Sequence, residues 1–189
     1  MDTEAFWGLI HTARSTNQPF HEALVDLLVA RSKTEILSYQ EHFDQARGAL
    51  YRWDIWAAAY LIGGGCSDDS FMDFRAGLIA QGRTWYDQAA GDPDSLAAHP
   101  AALASLGTID RSEELFYEEV NYAASEAFER ITGNRDAFYE AWDARTADSD
   151  TGADEHNMGE DFDFDDPAEM HQRLPRLATL FLSPAGGQA

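Results

Sequence analysis

Apolar side chains recur at three- and four-residue spacing in segment after segment of this 189-residue chain, and that period commits it to helices rather than strands. Phe6, Trp7, Leu9 and Ile10 fall on or beside one face of a segment over about Thr3 to Arg14, with Asp2 or Thr3 placed to cap it. Pro19 stands near the first turn of a second helix carrying Phe20, Ala23, Leu24, Leu27 and Leu28. Ser32 and Glu35 have capping-box spacing ahead of Ile36, Leu37, Tyr39, Gln40 and Phe43. Thr34 to Tyr39 also has the make-up of a short strand, but no second strand candidate pairs with it, so helix is the expectation.

The strongly apolar segment Ala49 to Ile62 places Leu50, Trp53, Ala57, Tyr60 and Leu61 in one stripe with Trp56 on its flank, and Gly63, Gly64 and Gly65 end it. It is the expected central buried helix. Asp68, Asp69 and Ser70 offer caps for the next, which buries Phe71, Phe74 and Leu78 with Ile79 beside them and breaks at Gly82. A short continuation, Thr84 to Ala90, adds Trp85 before a turn at Gly91, Asp92, Pro93 and Asp94. Leu96 to Thr108 reads as a short helix and loop divided by His99 and Pro100. A long helix is expected from Asp110, paired with Glu113 as a capping box, through Ile131 to a stop at Gly133; another from Arg135 carries Phe138, Tyr139 and Trp142. Asp166, Pro167 and Glu169 open a last helical stretch holding Leu174, Leu177, Leu180, Phe181 and Leu182. The fold expected is all-α: a single compact multi-helix domain over residues 1–182, an acidic loop at about 147–160 before the C-terminal helix, and a flexible tail at 183–189.

Charge narrows the partners. There are 34 Asp and Glu against 13 Lys and Arg, a formal charge of minus 21, and Lys33 is the single lysine. Residues 136–189 alone hold 13 acids and 3 arginines. Such a potential repels nucleic-acid phosphates and anionic lipid headgroups and favours cations or a basic protein surface, although an acidic coat also serves bulk solubility. With 44% hydrophobic and 12% aromatic residues the chain still has a core to bury. Cys66 is the single cysteine, which excludes an intrachain disulfide and a four-cysteine metal site. Met1 to Trp7 lacks the basic start of a secretory signal, and the longest apolar run, Ile55 to Ile62, is far short of the about 20 residues that span a bilayer. The expected location is cytoplasmic, without membrane contact.

The segment Gly63 to Arg75 resembles a site more than any other. Its glycines permit unusual backbone angles, and Asp68, Asp69, Asp73 and Arg75 are close in sequence at a helix start. A buried Arg75 needs a partner, which Asp68 or Asp69 is placed to supply, so the cluster is either an ion pair fixing the turn or a ligand contact. Trp53, Trp56, Tyr60 and Trp85 are candidate pocket aromatics, with ordinary core packing as the alternative. No histidine has diagnostic spacing to Cys66, so no catalytic residue is assigned. The glycine triplet lacks the phosphate-loop pattern and follows a helix, which removes both nucleotide-binding readings. Asp161, Asp163, Asp165 and Asp166 superficially suggest a calcium loop, but Asp166 stands where the turn glycine belongs and Gln172 where the bidentate acid belongs. No metal or cofactor is therefore expected. Phe162 and Phe164, alternating with these acids, suit anchors for a linker or a partner groove.

Several stretches resemble one family. These are Glu4 to Ile10, Ala49 to Tyr60, the long run from Gly64 to Arg75 continuing through Leu78, Ile79 and Gly82, the Asp92 to Leu96 turn, and the ending Leu174-Pro175-Arg176-Leu177. Together they are similar to a bacterial domain family of unknown function, DUF4240, which implies no activity and no catalytic residues. Gly77 departs from the bulkier residue expected between Phe74 and Leu78. The leading functional expectation is a non-enzymatic regulatory or protein-interaction domain with a basic protein partner. Two rivals stand beside it: a small-molecule-binding protein or hydrolase using Asp68, Asp69, Asp73 and Arg75, and an acidic mimic of nucleic acid.

Overall fold

The computed structural model describes residues 1–107, 112–147 and 157–182. The heart of the acidic loop, residues 148–156, the cap residue Asp110 and the tail 183–189 lie outside them. Among the described residues all regular structure is helical, and the all-α expectation holds.

Local chemistry sets the first helices. Asp2 accepts from the Ala5 N–H at 2.8 Å and starts α1 (Thr3–Arg14); α2 (Phe20–Val29) follows Pro19. The Ser32–Glu35 capping box forms as expected and opens α3 (Lys33–Ala49), which removes the strand alternative. Its hydrogen bonds from Ser32 hold the Glu35 carboxyl below the usual carboxylate range. Helix α4 (Trp53–Gly63) starts four residues later than the apolar run does and ends on Gly64 at φ +63°. Helix α5 (Asp68–Ala80) is capped by the Ser67 hydroxyl, one residue before the three caps expected. Gly82, at φ +87°, separates it from α6 (Arg83–Gly91). A 3₁₀ turn (Pro93–Ala98) leads to α7 (Pro100–Ala104).

Beyond this point the expected elements and the observed ones part. Residues 112–117 form turns instead of opening a long helix; a 3₁₀ turn (Glu118–Tyr122) follows, and α8 (Ala123–Thr132) begins only there. The reason is tertiary. Leu115 is fully buried against α5, and the Tyr117 N–H donates at 3.2 Å to Asp73 O on α5 instead of to a carbonyl of its own turn. Helix α9 (Ala137–Thr146) keeps Phe138 in the core. The single last helix expected is two, α10 (Pro167–Arg173) and α11 (Pro175–Phe181), because Pro175 forces Leu174 out of the helical region, to φ −132° and ψ 61°.

Two apolar clusters meet at α5. Ala76, Ile79 and Ala80 pack with α1, α2, α3 and α8, while Phe71, Phe74 and Leu78 pack with α4, the Pro93–Ala98 turn, α10 and α11. The central helix is therefore α5. Helix α4 buries Ala57 and Leu61 of the expected stripe, with Leu50 just before it, and adds Ile55, Ala58, Ala59 and Ile62, whereas Trp53, Trp56 and Tyr60 stand on the half-exposed flank. No described helix is long and apolar enough to cross a membrane.

His99 links fold to pH. It is 2% exposed, its Nδ1 accepts the Ala101 N–H at 3.1 Å to cap α7, and Nε2 is buried without a partner. Burial, with the Arg14 charge adding to it, lowers its pKa from 6.5 to about 4. The unfolded chain binds the proton first, so stability is full above pH 6.5 and is lost as pH falls toward about 4. The slope approaches ~1.4 kcal/mol per pH unit in that window. Urea titrations at stepped pH should show this slope in the native chain and its loss in His99→Asn, which keeps the cap without the titration; an unchanged slope in the variant rejects the assignment.

Candidate functional site

The Gly63–Arg75 segment folds as a tight reversal. Gly64 and Gly65 take φ +63° and +122°, and the Trp56 indole donates from Nε1 to Cys66 O at 3.1 Å, tying α4 to the turn. From Ser67 onward the helical repeat sends the four polar candidates in different directions. Asp68 and Asp69 are exposed in the first turn of α5. Asp73 shares the Asp69 side, while Arg75 lies one turn beyond Phe71 on another face.

Arg75 does not pair with Asp68 or Asp69. It makes no ion pair with any described residue; Nη1 donates to Arg47 O at 3.1 Å, Nε donates to Phe71 O at 3.3 Å, and the guanidinium lies 4.7 Å from the Phe71 ring centre and 4.8 Å from that of Tyr51. Burial, with Arg47 beside it, brings its pKa down to about 10, and it stays charged at neutral pH. A planar guanidinium tolerates this setting because its faces stack while its edge donates, and the carbonyl it meets is at the negative end of α3.

The aromatic candidates divide too. Trp53 stacks on Trp56 (5.5 Å, 12°) and Trp56 on Phe71 (4.6 Å, 12°), so Arg75 terminates a continuous stack. Tyr60 joins from the side: its ring meets Phe164 at 5.6 Å, as Trp53 does at 6.1 Å, and its hydroxyl donates to Asp165. Trp85 is elsewhere, edge-on to His99 at 4.4 Å. Residues 157–166 lie along the stack. Trp53 N–H donates to Met158 O at 3.0 Å, and Phe162 and Phe164 pack inward in alternation with exposed Asp161, Asp163 and Asp165. Arg173 covers Phe162 at 4.2 Å and pairs with Glu160 and Glu169. The acids of the calcium-like run serve local bonds: Asp163 accepts from Asp165 N–H and Asp166 from Ala168 N–H. No group of three metal-ligating side chains occurs among the described residues.

On the Asp73 side the surface is different. Glu113, Glu114, Phe116, Tyr117, Glu118 and Glu119 line an open cleft of about 460 Å³ along the turns that follow residue 112. Asp73 borders this group, and its pKa is raised, first by burial and then by Glu118, Asp69 and Glu119. Asn121 donates to Asp73 at 3.1 Å and accepts from Arg47, which in turn binds Asp44. Three elements thus hold one acidic wall in place.

A second arrangement has no local motif to announce it. Arg14 donates to Ala80 O (2.7 Å), Arg52 to Ala90 O (2.8 Å) and Arg75 to Arg47 O (3.1 Å), so that three arginines close the C-terminal ends of α5, α6 and α3. Their partners lie 66, 38 and 28 residues away, beyond any local motif. Arg52 also pairs with Asp54 through two hydrogen bonds, while Arg14 and Arg75 meet no carboxylate among the described residues.

The family model described as "Protein of unknown function (DUF4240)" matches residues 1–130. The chain belongs to the DUF4240 family. No curated protein and no solved structure matches it. The DUF4240 match takes in α1 to α7 and most of α8, hence the acidic cleft, the Trp53–Trp56–Phe71 stack and all three arginine caps. Residues 157–166, α10 and α11 lie beyond it.

Proposed function

We propose that this DUF4240 protein is a non-enzymatic interaction domain whose acidic cleft receives a basic segment of another protein. The observation that carries the reading is the cleft itself: Glu113, Glu114, Glu118 and Glu119 line it, and after burial the charges of Glu118, Asp69 and Glu119 are what raise the Asp73 pKa. Like charges held together repel one another, and an arginine or lysine entering between them relieves that repulsion. Phe116 and Tyr117 in the same walls offer rings to the aliphatic stem or the guanidinium face. The net charge of minus 21 adds long-range steering toward a basic partner.

The reading places no catalytic residue and requires no cofactor. Asp69 and Asp73 act in it as carboxylates of a binding rim, and Arg75 as a structural cation; Asp68 has no part in it.

An arginine-rich peptide of eight residues, titrated by stopped-flow fluorescence, tests the proposal. Association should slow by roughly tenfold between 50 and 300 mM salt, and the triple variant Glu113→Gln, Glu118→Gln, Glu119→Gln should reproduce that slowing at low salt. Equal rates for the variant and the native chain at low salt would reject the cleft as the docking face.

A further inference from the structure

A second cleft, of about 330 Å³, lies where the end of α1, the start of α2 and the end of α5 come together. Arg14 stands in its wall. Nη1 of Arg14 donates to Ala80 O at 2.7 Å and to Gln81 Oε1 at 3.2 Å, which fixes the guanidinium, while Nε and Nη2 take no partner among the described residues. Gln81, 8% exposed, is itself held by donating to Glu114 O at 2.9 Å. The Glu114 side chain is exposed and lines the same cleft. Phe20 and Tyr117, with ring centres 6.1 Å apart, supply an apolar wall.

We infer that this cleft binds a small zwitterion with an apolar body, an amino-acid-like ligand whose carboxylate takes the open edge of Arg14 and whose ammonium group faces Glu114. The open edge of a guanidinium, Nε with one Nη, is the fork that accepts a carboxylate through two parallel hydrogen bonds. Two bonds at Nη1 already hold the fork still, so little rotamer freedom is lost when a ligand arrives. Overall charge selects the ligand class. A simple anion is repelled by a chain of minus 21, and a simple cation has acidic sites elsewhere; a neutral zwitterion escapes both effects and uses both charges of the cleft. The volume is at the small end of ligand pockets and suits one side chain of aromatic size against Phe20 and Tyr117.

The site shares Glu114 and Tyr117 with the acidic cleft, but Arg14, Gln81 and Phe20 take no part there, so Arg14→Gln tests this site alone. L-Phenylalanine, 3-phenylpropanoate and 2-phenylethylamine are the probes, titrated into the full chain and followed by amide chemical shifts. Phenylalanine should bind at least ~10-fold more tightly than either single-charge analogue. Glu114→Gln, an exposed change, should lower phenylalanine affinity about tenfold and leave 3-phenylpropanoate no weaker than before. Arg14→Gln should abolish both, and because Arg14 also caps α5, its thermal melt is recorded alongside. No saturable shift from phenylalanine overturns the inference. Equal binding of phenylalanine and 3-phenylpropanoate overturns it as well, since Glu114 would then contribute nothing.

Discussion

Asp94→Ala should destabilise the protein by on the order of 4 kcal/mol and loosen its C-terminal helices first. Asp94 is 5% exposed. Its carboxylate accepts the Arg176 N–H through both oxygens (3.1 and 3.0 Å) and the Leu177 N–H at 2.9 Å, across 82 and 83 residues. Helix α11 has no side-chain cap of its own, since Leu174 occupies that position. Asp94 thus supplies from a distance what a local Ser or Asp supplies elsewhere, and it anchors an element that puts Leu174, Leu177 and Ala178 into the core. Truncation leaves two inward-facing N–H donors without acceptors, each costing about 1–3 kcal/mol. Asp94→Asn keeps one acceptor and should fall between alanine and the native chain. Urea denaturation gives the stability, and hydrogen exchange at Leu177 gives the location. A loss below about 1 kcal/mol with Leu177 still protected would show that α11 is held by its apolar face alone.

Gly77→Ala should also cost on the order of 4 kcal/mol, in a position where helix propensity predicts a gain of about 1. A Cβ built at Gly77 meets Leu115 O at 2.2 Å and Leu115 C at 2.6 Å, both backbone atoms of the segment that replaces the expected long helix. Real Cβ atoms do not approach so closely, so residues 112–117 must lift away from α5. That movement breaks the Tyr117 N–H bond to Asp73 O and exposes Leu115. It also displaces Glu114 and Tyr117, which line both clefts. Gly8 is the control: it lies inside α1 with nothing within 4 Å of an added Cβ, so Gly8→Ala should stabilise by roughly 0.5–1 kcal/mol. Opposite signs for two Gly→Ala changes, both in helices, isolate the close approach from helix propensity. Matching signs in thermal and urea unfolding would mean that the 112–117 segment yields easily.

Gly77 also shows how far a sequence reading carries. The departure from a bulkier residue was visible, yet nothing local explained it, because the Leu115 backbone that fills the space arrives from 38 residues away. The Arg75 expectation failed for a related reason. Need for a partner was legible, but the partner proved to be two rings and a carbonyl at the end of α3 in place of the carboxylates nearby in sequence. Phe162 and Phe164 read better: their alternation with acids suggested anchors, and Phe164 rests against Trp53 and Tyr60 of α4 while Phe162 packs on Phe164 beneath Arg173.

The helical class, the starts of α1 and α3, the stop at Gly64 and the acidity were all determined by the sequence itself, since capping, periodicity and charge act over a few residues or by simple sum. Which helix is central, which face of α4 is buried, where residues 112–117 leave the helical path and which acids and arginines share a cleft were decided only in the tertiary structure. Those outcomes depend on contacts between groups far apart in the chain, such as Arg75 with Arg47 across 28 residues, Asp94 with Leu177 across 83 and Tyr60 with Asp165 across 105. A helix can present several faces to a core at similar local free energy, and only the competition among all of them for the same interior selects one.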